Sequence, residues 1–239
     1  MAKPTADFSS PYYPYFKVLP GANTLKDAEL IPYKLMRYLL DLPDAAGYAP
    51  VDDNSRPRVR LIKYMWYDGA NPLSQPLPTP EEKLSLLFDP YNPDINTDED
   101  KTRHPKGYRL FMQRNVAQSG TEANTILKIY PGRILDDTDF RTILGFQAEI
   151  WCNTNLITNT KTAAYDRTFD IEQALREALA GIDIAGVGTI RFSRQASSYN
   201  GSEVLYTEGA YSGRMLYFST SWSEGGGEKI GAAGQNPNF

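Results

Sequence analysis

The sequence predicts an α+β protein in which an antiparallel or mixed β-sheet combines with one long amphipathic helix and one short N-terminal helix. Several short segments alternate apolar and polar residues, the period of a half-buried strand, whereas only two segments show the helical period. The chain also holds 16 Tyr, 10 Phe and 3 Trp among 17 Pro and 18 Gly, and aromatic residues favour strands. Its 239 residues are enough for one large domain with its own core.

The N-terminal residues 1–28 are expected to form an extended arm. Residues 8–20 hold three prolines and five aromatic residues without a helical or strand period. Such an arm can pack on its own domain or dock on a neighbouring subunit, and both alternatives stay open. The side chains predicted to bind a partner are in this arm and at the end of the chain: Tyr12, Tyr13, Tyr15, Phe16 and Phe239.

Residues 29–222 are predicted to form a single α+β domain with an inserted loop at 68–107. A short helix is expected over Glu29–Leu42, where apolar residues follow helical spacing, and Pro43 and Gly47 end it. Residues Arg58–Tyr67 (RVRLIKYMWY) are apolar on both alternating faces, which predicts a strand covered on both sides. The inserted loop is rich in proline, and its residues 81–88 are the part expected to be ordered.

The second half of the chain supplies the remaining strands and the long helix. Alternation is clearest in one segment, where apolar residues of one parity face a core: Phe140, Leu144, Phe146, Ala148, Ile150 and Cys152. The long helix is expected within Lys161–Gly181, chiefly Asp170–Ala180, with Gly181 as its C-terminal glycine. Other predicted strands are Tyr108–Arg114, Thr125–Tyr130, Val187–Phe192, Glu203–Tyr206 and Met215–Trp222. Asn200–Gly201 predicts a hairpin turn, and the glycine-rich residues 223–239 a flexible tail.

Composition and charge exclude several classes of protein. A net charge of −4 and a pI near 5.2 give no basic stripe for gripping nucleic acid, although DNA could slide through an acidic conduit without sticking. Cys152, the lone cysteine, cannot form an intrachain disulfide and is expected to be a small buried apolar residue. Neither a secretion signal nor an apolar run of membrane-spanning length is present in the sequence, so no membrane partner is expected.

Candidate catalytic and metal-binding motifs are incomplete. His104, the only histidine, lies in a polar loop and is expected to be a solvated residue. The acidic run at 94–100 has the oxygen ligands that begin an EF-hand, but Glu99 replaces the turn glycine and Pro105 the bidentate glutamate. The sequence therefore predicts no catalytic residue, no cofactor and no metal site, and favours a protein that binds other protein surfaces.

The order of elements from residue 29 onward is informative. Strands that end in Glu149–Cys152 are followed by one amphipathic helix and by strands that end in Gly213–Trp222. This arrangement resembles the tail terminator and related neck, or head-tail joining, proteins of tailed bacteriophages. The resemblance implies a structural, non-enzymatic virion protein that is assembled in the host cytoplasm.

The same resemblance implies a set of partners. In that family an oligomeric ring, usually a hexamer, caps the tail tube and joins it to the head connector or sheath. The implied partners are copies of the same chain and neighbouring tail-tube, sheath or connector proteins, with DNA passing through without specific binding. Two alternatives remain: a glycan- or cell-surface-binding module, suggested by the Tyr and Trp content, and a metal-dependent enzyme that uses the acidic loop at 89–100.

Overall fold

The structure, a computed structural model, describes residues 31–88, 104–114, 124–138, 141–158, 166–184, 187–192, 202–206 and 211–223. Within these residues the strands are β1 (Leu110–Phe111), β2 (Thr125–Thr138), β3 (Arg141–Asn153), β4 (Asp183–Ile184), β5 (Gly188–Thr189), β6 (Ser202–Tyr206) and β7 (Tyr211–Ser223). The helices are α1 (Ile31–Leu39), α2 (Pro57–Trp66), α3 (Pro80–Ser85), α4 (Thr154–Thr158) and α5 (Arg167–Leu179), with a 3₁₀ turn at Pro72–Ser74.

One mixed sheet organises the molecule and confirms the predicted α+β class. Its strand order is β1-β2-β3-β7-β6, in which β1 runs parallel to β2 and the other neighbours pair antiparallel. The register places Ala148 between Ile129 and Leu216, so these three side chains share one face, here called the first face. A separate two-stranded ladder joins β4 to β5, and Arg191 then bridges to Ser219 of β7.

The hydrophobic core lies between the first face and the helices α1, α2 and α5. The rings of Phe146 and Phe218 stack at its centre with 5.6 Å between centroids. Helix α5 begins at the side chain of Asp166, which accepts a hydrogen bond of 2.8 Å from the Phe169 amide. The strands contribute the alternating apolar residues that the sequence predicted for the half-buried strand: Leu144, Phe146, Ala148, Ile150 and Cys152.

The prediction of a strand at Arg58–Tyr67 is wrong, because these residues form helix α2. Pro57 starts the helix at its first position, where its missing N–H costs nothing. The helix is enclosed by α5, the sheet and the residues that follow it, so every residue from Leu61 to Trp66 is buried, whereas Arg58 and Arg60 stay partly exposed. A short run that is buried on all sides shows no helical period, which is why it could not be distinguished from a fully buried strand.

Residues 68–88, the first part of the predicted inserted loop, pack closely on the domain. Helix α3 begins with a capping box in which Thr79 and Glu82 satisfy each other's backbone N–H groups. Leu86 and Leu87 belong to the core, and Leu87 bridges to Leu110 of β1. Residues 89–103 lie outside the described residues, as do the arm, the Asn200–Gly201 turn and most of the tail. The predicted domain boundaries therefore stay a prediction.

Two buried arginines close the C-terminal end of helix α2. The guanidinium of Arg167 donates to the carbonyl oxygens of Tyr64 (2.6 Å), Tyr67 and Gly69 (3.2 Å). Arg109 donates to the Met65 carbonyl oxygen at 2.7 Å and forms a bidentate ion pair with Asp68. The last carbonyls of a helix have no partner within it, so these cations replace the missing hydrogen bonds and oppose the negative end of the helix dipole.

Cys152 is expected to resist thiol reagents while the protein is folded. Its side chain is fully buried beside Thr125, and burial raises the pKa of the thiol to about 11. At pH 8 the native protein should not react with an aromatic disulfide reagent, whereas the urea-unfolded chain should react fully. Rapid labelling without urea would contradict the buried position.

The thiol also predicts a pH dependence of stability. Its folded pKa of about 11 exceeds the unfolded value of 9.0, so the unfolded chain releases the proton first. Its contribution to stability is therefore present below about pH 9 and is lost as the pH rises towards 11. Comparing the urea midpoints of the natural chain and a Cys152→Ala variant across this range isolates the effect, because buried tyrosines contribute equally to both.

Candidate functional site

The second face of the sheet, opposite the first, carries a mixed set of aromatic and charged side chains. The register arranges them in three rows that cross the strands. The rows are Ile126, Trp151, Gly213 and Leu205; then Lys128, Glu149, Met215 and Glu203; and then Tyr130, Gln147 and Tyr217. The core is built on the apolar first face, so the aromatic and charged side chains of the second face are not needed to form it.

Glu149 is the centre of a hydrogen-bond network on the second face. Only 6% of its surface is exposed, and its two carboxylate oxygens accept from the Tyr130 hydroxyl and, at 2.9 Å, from the Trp151 indole nitrogen. Lys128 forms an ion pair with the same carboxylate at 3.8 Å and donates to the Arg114 carbonyl oxygen at 3.3 Å. A buried carboxylate is tolerated only with such partners, because removing it from water is otherwise costly.

The pKa values of two neighbours reflect this environment. Burial lowers the pKa of Lys128, and the nearby negative charge of Glu149 opposes the shift. Burial and the hydrogen bond to Glu149 raise the pKa of Tyr130 well above its usual value, so its hydroxyl stays protonated at neutral pH.

The indole ring of Trp151 on β3 packs over Gly213 on the neighbouring strand β7. A Cβ atom at position 213 would lie only 2.7 Å from Cε3 of the indole and 2.6 Å from the Ile150 carbonyl oxygen. The indole therefore occupies the space above the glycine backbone, while its nitrogen is held by Glu149. Trp151 is half-buried, as are Met215 and Leu205 beside it. The ring is fixed in place and remains partly exposed.

The other end of the second face is also bordered by polar and aromatic groups. Tyr217 donates its hydroxyl proton to Glu203 on the edge strand β6. A depression of about 610 Å³ lies beyond the third row, between the residues after β1 and the strands β2 and β3. Its lining is Met112, Gln113, Arg114, Tyr130, Pro131, Gly132 and Gln147. Tyr, Trp, Met and Arg are the residues in which protein interfaces are enriched.

The network holds the Glu149 carboxylate in one position, because both of its oxygens are already bonded to neighbours. Three apolar groups around Gly213 remain partly exposed, Trp151, Leu205 and Met215, as do the polar residues Gln147 and Glu203 of the same rows. The three apolar side chains form a small apolar surface beside the Glu149 network.

A second polar cluster, centred on Asp41, serves the fold. Asp41 is buried with a left-handed φ of 51°, accepts a hydrogen bond from the Tyr48 hydroxyl (2.6 Å) and forms an ion pair with Arg58 (2.8 Å). Lys83 donates to its backbone oxygen at 2.9 Å, and Arg58 donates to the Tyr38 carbonyl oxygen. Burial lowers the pKa of Lys83 to about 8. These cations close the C-terminal end of helix α1 as Arg109 and Arg167 close that of α2.

Of the candidate site residues predicted from the sequence, the structure describes His104 but not the partner-binding aromatic residues or the acidic run. Tyr12, Tyr13, Tyr15, Phe16 and Phe239 lie outside the described residues, as does the acidic run at 94–100. His104 is not simply solvated: its ring is half-buried, with Nδ1 2.6 Å from the Ser85 carbonyl oxygen, and it stacks near Tyr108. Among the described residues, no group of His, Cys, Asp and Glu side chains is arranged to hold a metal ion.

Glu149 is not recognisable as a buried residue from the sequence of its own strand. Its parity placed it opposite the core, where a charged side chain is expected to be solvated. The signal that could have revealed its role is the pairing of Glu149 with Lys128 and Tyr130 on an adjacent strand, which requires the register of β2 and β3. No single strand carries that information.

Comparison with known proteins adds no assignment. No protein-family model matches this chain, and no curated protein matches its sequence. None of the helices in the described part of the chain is long and apolar enough to cross a membrane.

Proposed function

We propose that this chain is a structural virion protein that assembles into a ring at the neck or tail end of a tailed bacteriophage, caps the tail tube and joins it to the head connector or sheath. The observation that carries the proposal is the second face of the sheet. It holds a fixed, partly exposed Trp151 above paired charges and close to further apolar side chains. Large aromatic side chains with little conformational freedom are the usual anchors of protein interfaces.

The edge of the sheet adds a second surface for association. Strand β6 is the last strand in the sheet order, and it pairs with β7 on one side. Val204 of β6 is 42% exposed, one of two large apolar residues exposed to this degree among the described residues. An edge strand of this kind can contact another chain through its backbone and side chains. A face and an edge of one sheet are two different surfaces, which is the requirement for head-to-tail contacts that close into a ring.

A glycan-binding module is the second candidate, because a fixed indole ring also suits stacking against a sugar. Sugar hydroxyls, however, need polar groups that can still accept or donate hydrogen bonds. On the second face Glu149 is bonded to Tyr130 and Trp151, and Glu203 to Tyr217. The partly exposed groups around Gly213 are apolar, and this favours a protein partner over a glycan at that position.

Light scattering on the purified full chain tests the proposed ring. We expect either a particle of about six times the 26.8 kDa chain mass, or a monomer that becomes part of a ring when tail ends are added. Negative-stain images should show a closed ring, and mass spectrometry should find the protein in purified virions. A monomer at every concentration that is also missing from virions would refute the proposal.

A further inference from the structure

We propose that residues 8–20 of a neighbouring copy pack on the Trp151 patch, defined as Trp151, Leu205 and Met215 around Gly213. This inference rests on the proposed function, because it requires another copy of the chain alongside. It assigns an acceptor surface to the aromatic arm and makes the arm the joint between subunits.

The patch determines what kind of partner can bind. Its three side chains are half-buried and apolar. Beside them Lys128 is paired with Glu149, and the Glu203 carboxylate accepts a hydrogen bond from Tyr217. An added anion would find no free cation among these groups and would lose its hydration. An uncharged segment with flat rings would bury the exposed side of the Trp151 indole and gain from stacking on it.

Residues 8–20 have this composition. They contain five aromatic residues and three prolines, and Lys17 is their single charged residue. Prolines at positions 11, 14 and 20 remove backbone donors, so the segment is poorly suited to adding a full strand to a sheet. Its contact with a partner must therefore come mainly from side chains, and the patch offers side chains in return.

The position of helix α1 allows the arm to reach another subunit. Ile31, its first residue, is fully buried in the core on the first face, so helix α1 begins on the side of the sheet opposite the patch. Ten residues, 21–30, separate the segment 8–20 from Ile31, and a chain of that length can span roughly 33 Å, several times the thickness of a sheet layer. In a ring each copy would give one arm and accept one, which makes the contact head-to-tail and closed.

Photo-crosslinking in the full chain tests the proposal. Tyr13 is replaced by the photo-crosslinker p-benzoylphenylalanine, the protein is mixed with ¹⁵N-labelled unsubstituted chain, and crosslinked peptides are identified by mass spectrometry. We expect crosslinks between labelled and unlabelled chains that join position 13 to the peptides containing Trp151, Leu205 or Met215. The mixture of isotopes separates contacts between chains from contacts within one chain.

Two substitutions by glutamine are compared. Leu205→Gln is expected to lower the yield of interchain crosslinks roughly tenfold, because it removes one buried aliphatic side chain from the contact. Val51→Gln is expected to leave the yield unchanged, because Val51 is 61% exposed in the loop between α1 and α2 and belongs neither to the patch nor to strand β6. Circular dichroism melts confirm that both variants remain folded, and equal yields for the two variants would count against the patch.

The outcomes separate this inference from the proposed function. Crosslinks that stay within one chain, that map elsewhere or that do not form would each overturn docking on the patch. Light scattering of the same samples reports the ring independently. A ring without crosslinks to the patch rejects the arm contact alone, whereas monomers without interchain crosslinks reject both proposals.

Discussion

Replacement of the buried arginine at the start of α5 by methionine (Arg167→Met) is expected to lower the free energy of unfolding by about 3 kcal/mol. Arg167 is fully buried, and its guanidinium satisfies the carbonyl oxygens of Tyr64, Tyr67 and Gly69. Methionine fills similar space without a donor, so these oxygens lose their partner. Each buried acceptor left unpaired costs roughly 1–3 kcal/mol. Methionine carries no charge, so the variant no longer bears the cost of desolvating the guanidinium, and this offsets part of the loss of stability.

Urea denaturation measures this effect, and Arg60→Met is the matched control. Arg60 on α2 forms an ion pair with Glu177 on α5, so it joins the same two helices as Arg167. The side chains of that pair are 26% and 50% exposed, and exposed pairs contribute roughly 0–1 kcal/mol. The two variants remove the same charge but differ in burial. If both variants lost a similar amount of unfolding free energy, Arg167 would be stabilising the fold only through its charge.

A methyl group added at the glycine below Trp151 (Gly213→Ala) is expected to cost about 2–3 kcal/mol of stability. The new Cβ would lie 2.6 Å from the Ile150 carbonyl oxygen and 2.7 Å from the Trp151 ring. The carbonyl belongs to the central strand β3, which is paired on both sides and cannot shift without disturbing both ladders. The indole would also be forced away from Gly213, changing the surface that the proposed partner contacts.

Thermal melts of Gly213→Ala and Gly69→Ala provide the comparison. A Cβ at Gly69 meets no atom within 4 Å, so that substitution should leave stability unchanged or raise it slightly by restricting the unfolded chain. The same chemical change is thus made in a crowded and in an open position. An unchanged melting temperature for Gly213→Ala would mean that Trp151 does not lie over the glycine.

Periodicity in the sequence was enough to place the central strands and to predict an α+β class. Strand β3 occupies nearly the range expected from its alternation, and β7 extends the strand expected at Met215–Trp222. Helices lie within both ranges where helical spacing was recognised. These elements have one buried and one less buried side, so the pattern of each segment records its own structure.

Helix α2 and the Glu149 network required the tertiary structure. In α2, the burial of every residue from Leu61 to Trp66 removed the contrast that distinguishes a helix from a strand. Glu149 has the parity of a solvent-facing residue, but it is buried because β2 brings Lys128 and Tyr130 beside it. The local pattern of one strand contains no information on the strand that will pair with it.

The pattern of residues along the chain was thus enough to predict the fold class, the main strands and a composition suited to protein contacts. Which charged groups are buried, and where Trp151 lies on the second face, depends on how the elements pack. The difference comes from the range of the interactions involved. Secondary-structure period is set by residues a few positions apart, whereas the pairing of Arg167 with the end of α2 joins groups about one hundred residues apart in the chain.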